Sequence, residues 1–139
     1  MNNITSDPAK IDNKVDLLSS SINSINDVLV IIDKDFNIIE INNIGLEYLN
    51  KSDNDVVGKK CYHIFHDTTC VELDCPLKKA QESEKTELLE RFDEKNKKWL
   101  FIKATPNMDQ DGKIVHYVET MSDITHIKER EHILKEKKL

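Results

Sequence analysis

The sequence predicts an α+β domain in which one antiparallel sheet carries short helices on one face, and three observations predict it. Two β-branched runs, Val28 to Ile32 and Ile38 to Ile41, flank the turn-forming stretch Asp33-Lys34-Asp35-Phe36-Asn37, which reads as a hairpin. Strand patterning then stops between Asn43 and Ser83. It returns in three runs, Leu88 to Phe92, Trp99 to Thr105 and Ile114 to Met121, separated by a turn from Asp93 to Lys97 and by Asp111-Gly112. Two strands, a helical insert and three further strands make one sheet whose exposed apolar face must be covered by the insert. The space between sheet and helices is a natural place for a ligand.

Each element has a local cause. Asp7-Pro8 resembles an N-cap followed by proline at the first helical position, and Ile11, Val15, Leu18, Ile22 and Ile25 follow at alternating gaps of four and three. That seam is about two heptads long, so it serves either to pair with a second copy or to pack on its own domain. Within the insert, Leu46, Tyr48 and Leu49 predict a short helix, Gly58 a turn, and Pro76 to Glu84 a helix started by proline. The last strand runs directly into Asp123-Ile124-Thr125 and then into a Lys- and Glu-rich stretch, His126 to Leu139, with helix-forming composition. Asp123 or Thr125 can cap this exit helix, although Lys128 gives Thr125 no reciprocal capping box. The expected organisation is an N-terminal amphipathic helix over 1–23, a domain over 24–125 and an exit helix over 126–139.

Composition narrows the function. With 139 residues, 38% hydrophobic and 33% charged, one core is expected. A net charge of -6 disfavours contact with nucleic acid or an anionic membrane surface. The one basic concentration, Lys128 to Lys138, is interleaved with Glu129, Glu131 and Glu136, as in a solvated helix face. No run approaches the roughly 18 apolar residues of a membrane span, and the polar start lacks a signal-peptide core, so a cytoplasmic location is expected. Three cysteines, an odd number, argue for thiols or metal ligands rather than a disulfide framework. With glycine only at 45, 58 and 112 there is no phosphate-cradling loop, and no hydrolase or metalloprotease motif is present, so no enzyme is expected. The exit helix is too short to pair alone, which predicts that the chain is a fragment of a longer protein.

Three pieces in this order carry a family resemblance: Val28 to Asp33 turning into Asn37 to Asn42, then Val57-Gly58-Lys59-Lys60-Cys61, then Asp111-Gly112-Lys113 leading to Asp123-Ile124-Thr125. Over about Ser24 to Thr125 the chain resembles a PAS domain. The resemblance implies a five-stranded antiparallel sheet in the order 2-1-5-4-3, a ligand or cofactor between sheet and helices, homodimerisation, and signalling through the helix after Thr125, with Asp123 and Thr125 as the relay. It further implies a sensory input domain of a bacterial- or archaeal-type signal-transduction protein, joined to an output module such as a histidine kinase or transcriptional regulator, that detects a small ligand or a redox or metal state. The alternative is a ligand-free dimerisation and protein-interaction module.

Cys61, Cys70 and Cys75 are spaced Cys-x8-Cys-x4-Cys-Pro, with His63 and His66 close by. Three thiolates and an imidazole suit tetrahedral zinc, and thiolates also suit an iron-sulfur cluster. His66 lies nearer than His63 to the loop that would bring Cys70 round. The run is similar to that of a cysteine-rich PAS subgroup, Gly-x-x-Cys-Tyr-x-x-Phe followed by paired cysteines and proline, where the pair is Cys-x2-Cys. Metal or cluster binding, reversible thiol chemistry aided by Lys59 or Lys60, and plain apolar packing all stay open.

Cys61 also occupies the position of the reactive cysteine in flavin-binding LOV domains. Its neighbours differ, and Leu100, Phe101, Ile102 and Met121 stand where amides would hold a flavin, which speaks against flavin. The absence of histidine between Pro76 and Glu84 speaks against haem. His116 shares a strand face with Ile114 and Val118, so it points to a ligand or is a satisfied half-buried histidine. His126 and His132 are each followed by isoleucine rather than an acid, so phosphotransfer is not expected.

Overall fold

The computed structural model describes residues 8–66 and 74–137. A first helix, α1 (Pro8–Asn23), precedes the hairpin β1 (Val28–Asp33) and β2 (Ile38–Ile41). Four short helices follow, α2 (Asn43–Leu49), α3 (Asp53–Val56), α4 (Cys61–His66) and α5 (Pro76–Ser83). Then come β3 (Glu87–Asp93), β4 (Lys98–Met108), β5 (Ile114–Asp123) and the exit helix α6 (Thr125–Lys137). The strands form one antiparallel sheet in the order β2-β1-β5-β4-β3, as the family resemblance implies, with β5 in the middle.

Alternation along the strands sends Val28, Val30 and Ile32 of β1, Leu100, Ile102 and Ala104 of β4, and Tyr117 and Met121 of β5 to one face. Val56 of α3, Cys61 of α4 and Leu77 and Ala80 of α5 close the core over them. Helix α5 packs on β3, β4 and β5, and α2 packs on β1. The short helices therefore cover one face of the sheet and leave the other to α6 and solvent.

An aspartate organises each hairpin turn. The Asp33 carboxylate accepts from the backbone N–H groups of Asp35 and Asn37, and the Asp109 carboxylate accepts from those of Asp111 and Lys113. In both turns the fourth residue adopts positive φ, Gly112 at 78° and Phe36 at 69°. Glycine makes that conformation easy, whereas Phe36 adopts it while its ring is buried 5.7 Å from that of Tyr117. Asp93 repeats the device, accepting from the Lys95 N–H, with Lys97 at φ 55°.

Helix α1 exposes Val15, Leu17 and Leu18 and ends before Ile25, while Ile22 is half-buried. Among the described residues no helix is long and apolar enough to cross a membrane.

Candidate functional site

The site begins with a glycine. Gly58, at φ +88°, lets the chain after α3 double back along β2, where the Gly58 N–H donates to the Ile38 carbonyl and the Ile38 N–H to the Lys59 carbonyl. The Cys61 N–H then donates to the Phe36 carbonyl, which fixes Cys61 as the first residue of α4 with its thiol turned into the core. Cys75 immediately precedes Pro76, the residue that starts α5, and is also buried. The two helices thus bring both cysteines to one small cavity of about 20 Å³, shared with His66, Arg91 and Glu119. A cleft of about 440 Å³ adjoins it and shares Phe65, His66, Arg91, Ile102 and Met121.

Of the candidate ligands, Cys61, Cys75 and His66 meet, His63 lies on an exposed face, and Cys70 falls outside the described residues. Among the described residues no group of three His, Cys, Asp or Glu side chains could hold a metal ion, and the fourth member of the tetrahedral set, Cys70, lies outside them. His66 turns instead to Arg91, a ring nitrogen lying 3.4 Å from a guanidinium nitrogen.

The idea that Lys59 or Lys60 lowers the Cys61 thiol pKa is corrected. Burial, with Glu119 and Cys75 adding to it, pushes that thiol well above its ordinary value, and Lys60 donates away to the Asp35 carbonyl. Burial also raises Cys75. Both thiols stay protonated at neutral pH, which removes the thiolate that nucleophilic chemistry needs.

Two site residues escaped the sequence reading. Arg91, on the inward phase of β3, donates to Asp74 at 2.9 Å, and that bond holds the Asp74 carboxyl below its ordinary range. Glu119 lies on central strand β5 between Val30 of β1 and Ala104 of β4, both wholly buried, and is itself only 5% exposed. Burial pushes its carboxyl up to about 7, against the opposing pull of Arg91. The available signal was the phase Tyr117, Glu119, Met121. His116, on the opposite phase, is half-buried and bonded to Asn107 at 2.8 Å, so it is a satisfied outer-face histidine.

At the far end of β5 the exit junction is tied to the start of β4. The Ile124 N–H donates to the Trp99 carbonyl, and the Trp99 N–H donates to Thr125 Oγ1, both at 2.8 Å. Thr125 Oγ1 in turn donates to the Asp123 carboxylate at 2.6 Å, and the same carboxylate accepts the Thr125 N–H at 3.0 Å. Asp123 is therefore the capping side chain, and Thr125 is the first residue of α6, with its hydroxyl spent on the sheet. Lys128 pins α6 further, lying 5.3 Å from the Trp99 ring centre and pairing with Glu90 of β3.

Comparison with known proteins gives this arrangement its family. The model of the PAS fold matches residues 22–129, and the chain belongs to the PAS family. No curated protein matches the chain in sequence. Among solved structures it is similar to the PAS domain of Bordetella pertussis BvgS, at 14% identity and TM-score 0.66, covering 94% of this chain and 99% of that one. It is also similar to a sensory box sensor histidine kinase from Vibrio cholerae (17%, TM-score 0.62, 84% and 96%). A third is the PAS domain of nitrogen regulation protein NR(II) from Vibrio parahaemolyticus (15%, TM-score 0.60, 78% and 98%).

Proposed function

We propose that this chain is a non-enzymatic sensory input domain in which a small molecule held between sheet and helices biases the pose of α6 and, through it, an attached output module. One observation carries the reading. Strand β5 holds Glu119 in the cavity wall and, four residues on, Asp123 at the exit junction, so one rigid element joins site and helix. Relatives named as histidine kinases make a kinase the favoured output, on the cytoplasmic side of the cell. The mechanism is population shift: a ligand moves α6 only by its differential affinity for the two poses, typically ~1 to 3 kcal/mol.

A small molecule is favoured over a thiol switch because both described thiols are buried and protonated. The metal alternative needs Cys70, which lies outside the described residues. An absorption spectrum of protein purified without oxygen tests the cluster alternative directly. The exposed Val15, Leu17 and Leu18 of α1 support self-association through that helix, on which the ligand-free interaction module would also depend.

The test is the double substitution Asp123→Ala, Thr125→Ala in this domain fused to a reporter kinase. A folded domain whose output no longer follows its input supports the relay. Output identical to that of the parent fusion would sink it.

A further inference from the structure

Glu119 is nine-tenths buried, and its carboxyl opens on the inner cavity. Among the described residues no donor hydrogen-bonds its carboxyl and no cation forms an ion pair with it, yet it is 5% exposed and lines the cavity. Its neighbours across the sheet, Val30 and Ala104, have nothing polar in their side chains to offer. A carboxylate desolvated in this way is costly unless something outside the chain completes it. Arg91 acts on it only at a distance, because its guanidinium is held by Asp74 and lies against His66.

The adjoining cleft has its own bias. Asp74, Asp93 and Glu94 face it against Arg91 and Lys95, so with Glu119 the lining is net acidic. Leu100, Ile102 and Met121, with Phe65, supply an apolar wall. A charged pocket floor beside an apolar wall is built for an amphipathic ligand whose charge is opposite to the floor.

Resting on the sensor reading above, we infer that the site takes a small organic amine, its ammonium head seated in the inner cavity against Glu119 and its apolar body lying in the cleft along Phe65, Ile102 and Met121. The cleft volume of about 440 Å³ limits the ligand to a small molecule. An anionic ligand would face Glu119, Asp74 and Asp93 together, and a neutral one would leave the net acidic lining unbalanced.

The probes are n-butylamine and n-hexylamine, set against the carboxylic acids and alcohols of the same chain lengths, on the full chain, by thermal shift and calorimetry. Saturable stabilisation by the amines alone, weakened roughly tenfold or more by Glu119→Gln, is the expected result. Equal stabilisation of the Gln variant, or a response to the carboxylates instead, would overturn the inference.

A second readout needs no variant. In carbon-13 glutamate-labelled protein at about pH 6, saturation with amine moves the Glu119 carboxyl resonance to its ionised position. Among the described residues, the other titratable groups lining its cavity are Arg91 on β3, Cys61, Tyr62 and His66 on α4, and Cys75 before α5. A resonance that stays put overturns the inference. Amines that fail while an anionic or neutral metabolite is retained by the cavity overturn the amine and leave the sensor reading intact. The sensor reading fails separately, by an output indifferent to Asp123 and Thr125.

Discussion

Asn42 and Glu119 are the buried polar side chains of the described core, 1% and 5% exposed, and they are provided for in opposite ways. Asn42 Oδ1 accepts from the Leu29 N–H at 3.1 Å and the Gly45 N–H at 3.0 Å, while its amide donates to the Asp27 carbonyl at 2.8 Å. It caps α2 and ties that helix to β1 in one gesture. Gly45 makes the close fit possible, since a Cβ there would lie 2.6 Å from Ile41. Glu119 receives no such bond from the described chain. Burial alone therefore does not separate structure from function. A buried polar group completed by its own chain holds the fold, and one that opens on a cavity can meet a ligand there.

The largest effect that would sharpen this contrast is Asn42→Ala. It strands two N–H donors and a carbonyl, and a loss of roughly 3 to 5 kcal/mol is expected in urea unfolding. A loss under about 1 kcal/mol would mean that water replaces the amide, and the contrast would fail.

Glu119→Gln carries the opposite sign. The Glu119 carboxyl titrates at about 7 in the folded chain against 4.5 when free, so between those values the folded state holds a proton that the unfolded state lacks. Its contribution to stability is complete below about 4.5 and is lost as pH rises through about 7. Glu119→Gln is thus expected to stabilise the domain by about 1 to 3 kcal/mol at alkaline pH and to match the parent in acid, as chemical denaturation across pH would reveal. Parallel pH profiles for the two proteins would break the comparison.

The exit junction stands between these extremes, since its polar groups are completed by the chain but lie at the surface. Asp123→Ala with Thr125→Ala is expected to cost only about 1 to 2 kcal/mol in stability while uncoupling the fused output. The smallest expected effect is that of Lys128→Ala. It should leave the midpoint of unfolding nearly unchanged and speed amide exchange at the start of α6, because the residue's contacts with Trp99 and Glu90 hold only the helix pose.

Much of the fold was legible because its signals are local. Asp33, Asp93 and Asp109 close their turns with their own carboxylates, Pro76 starts α5, and Asp123 caps α6 two residues ahead. The cysteine cluster was half legible. Spacing pointed to Cys61, Cys70, Cys75 and His66 as neighbours; Cys61, Cys75 and His66 do meet, beside a carboxyl that spacing could not foresee, and Cys70 lies outside the described residues. Arg91 was missed because β3 carries charge on both phases, Glu90 outward and Arg91 inward.

The sequence by itself determined the order of the elements, the turn chemistry and the strand-to-helix exit, since each depends on side chains a few residues from the backbone they bond. Tertiary structure decided which phase of β5 turns inward. Ile114 and Val118 on one phase, and Tyr117 and Met121 on the other, are apolar enough to face a core, so period-two alternation cannot choose between them. The pairing of β5 between β1 and β4 made the choice, and in doing so it buried Glu119.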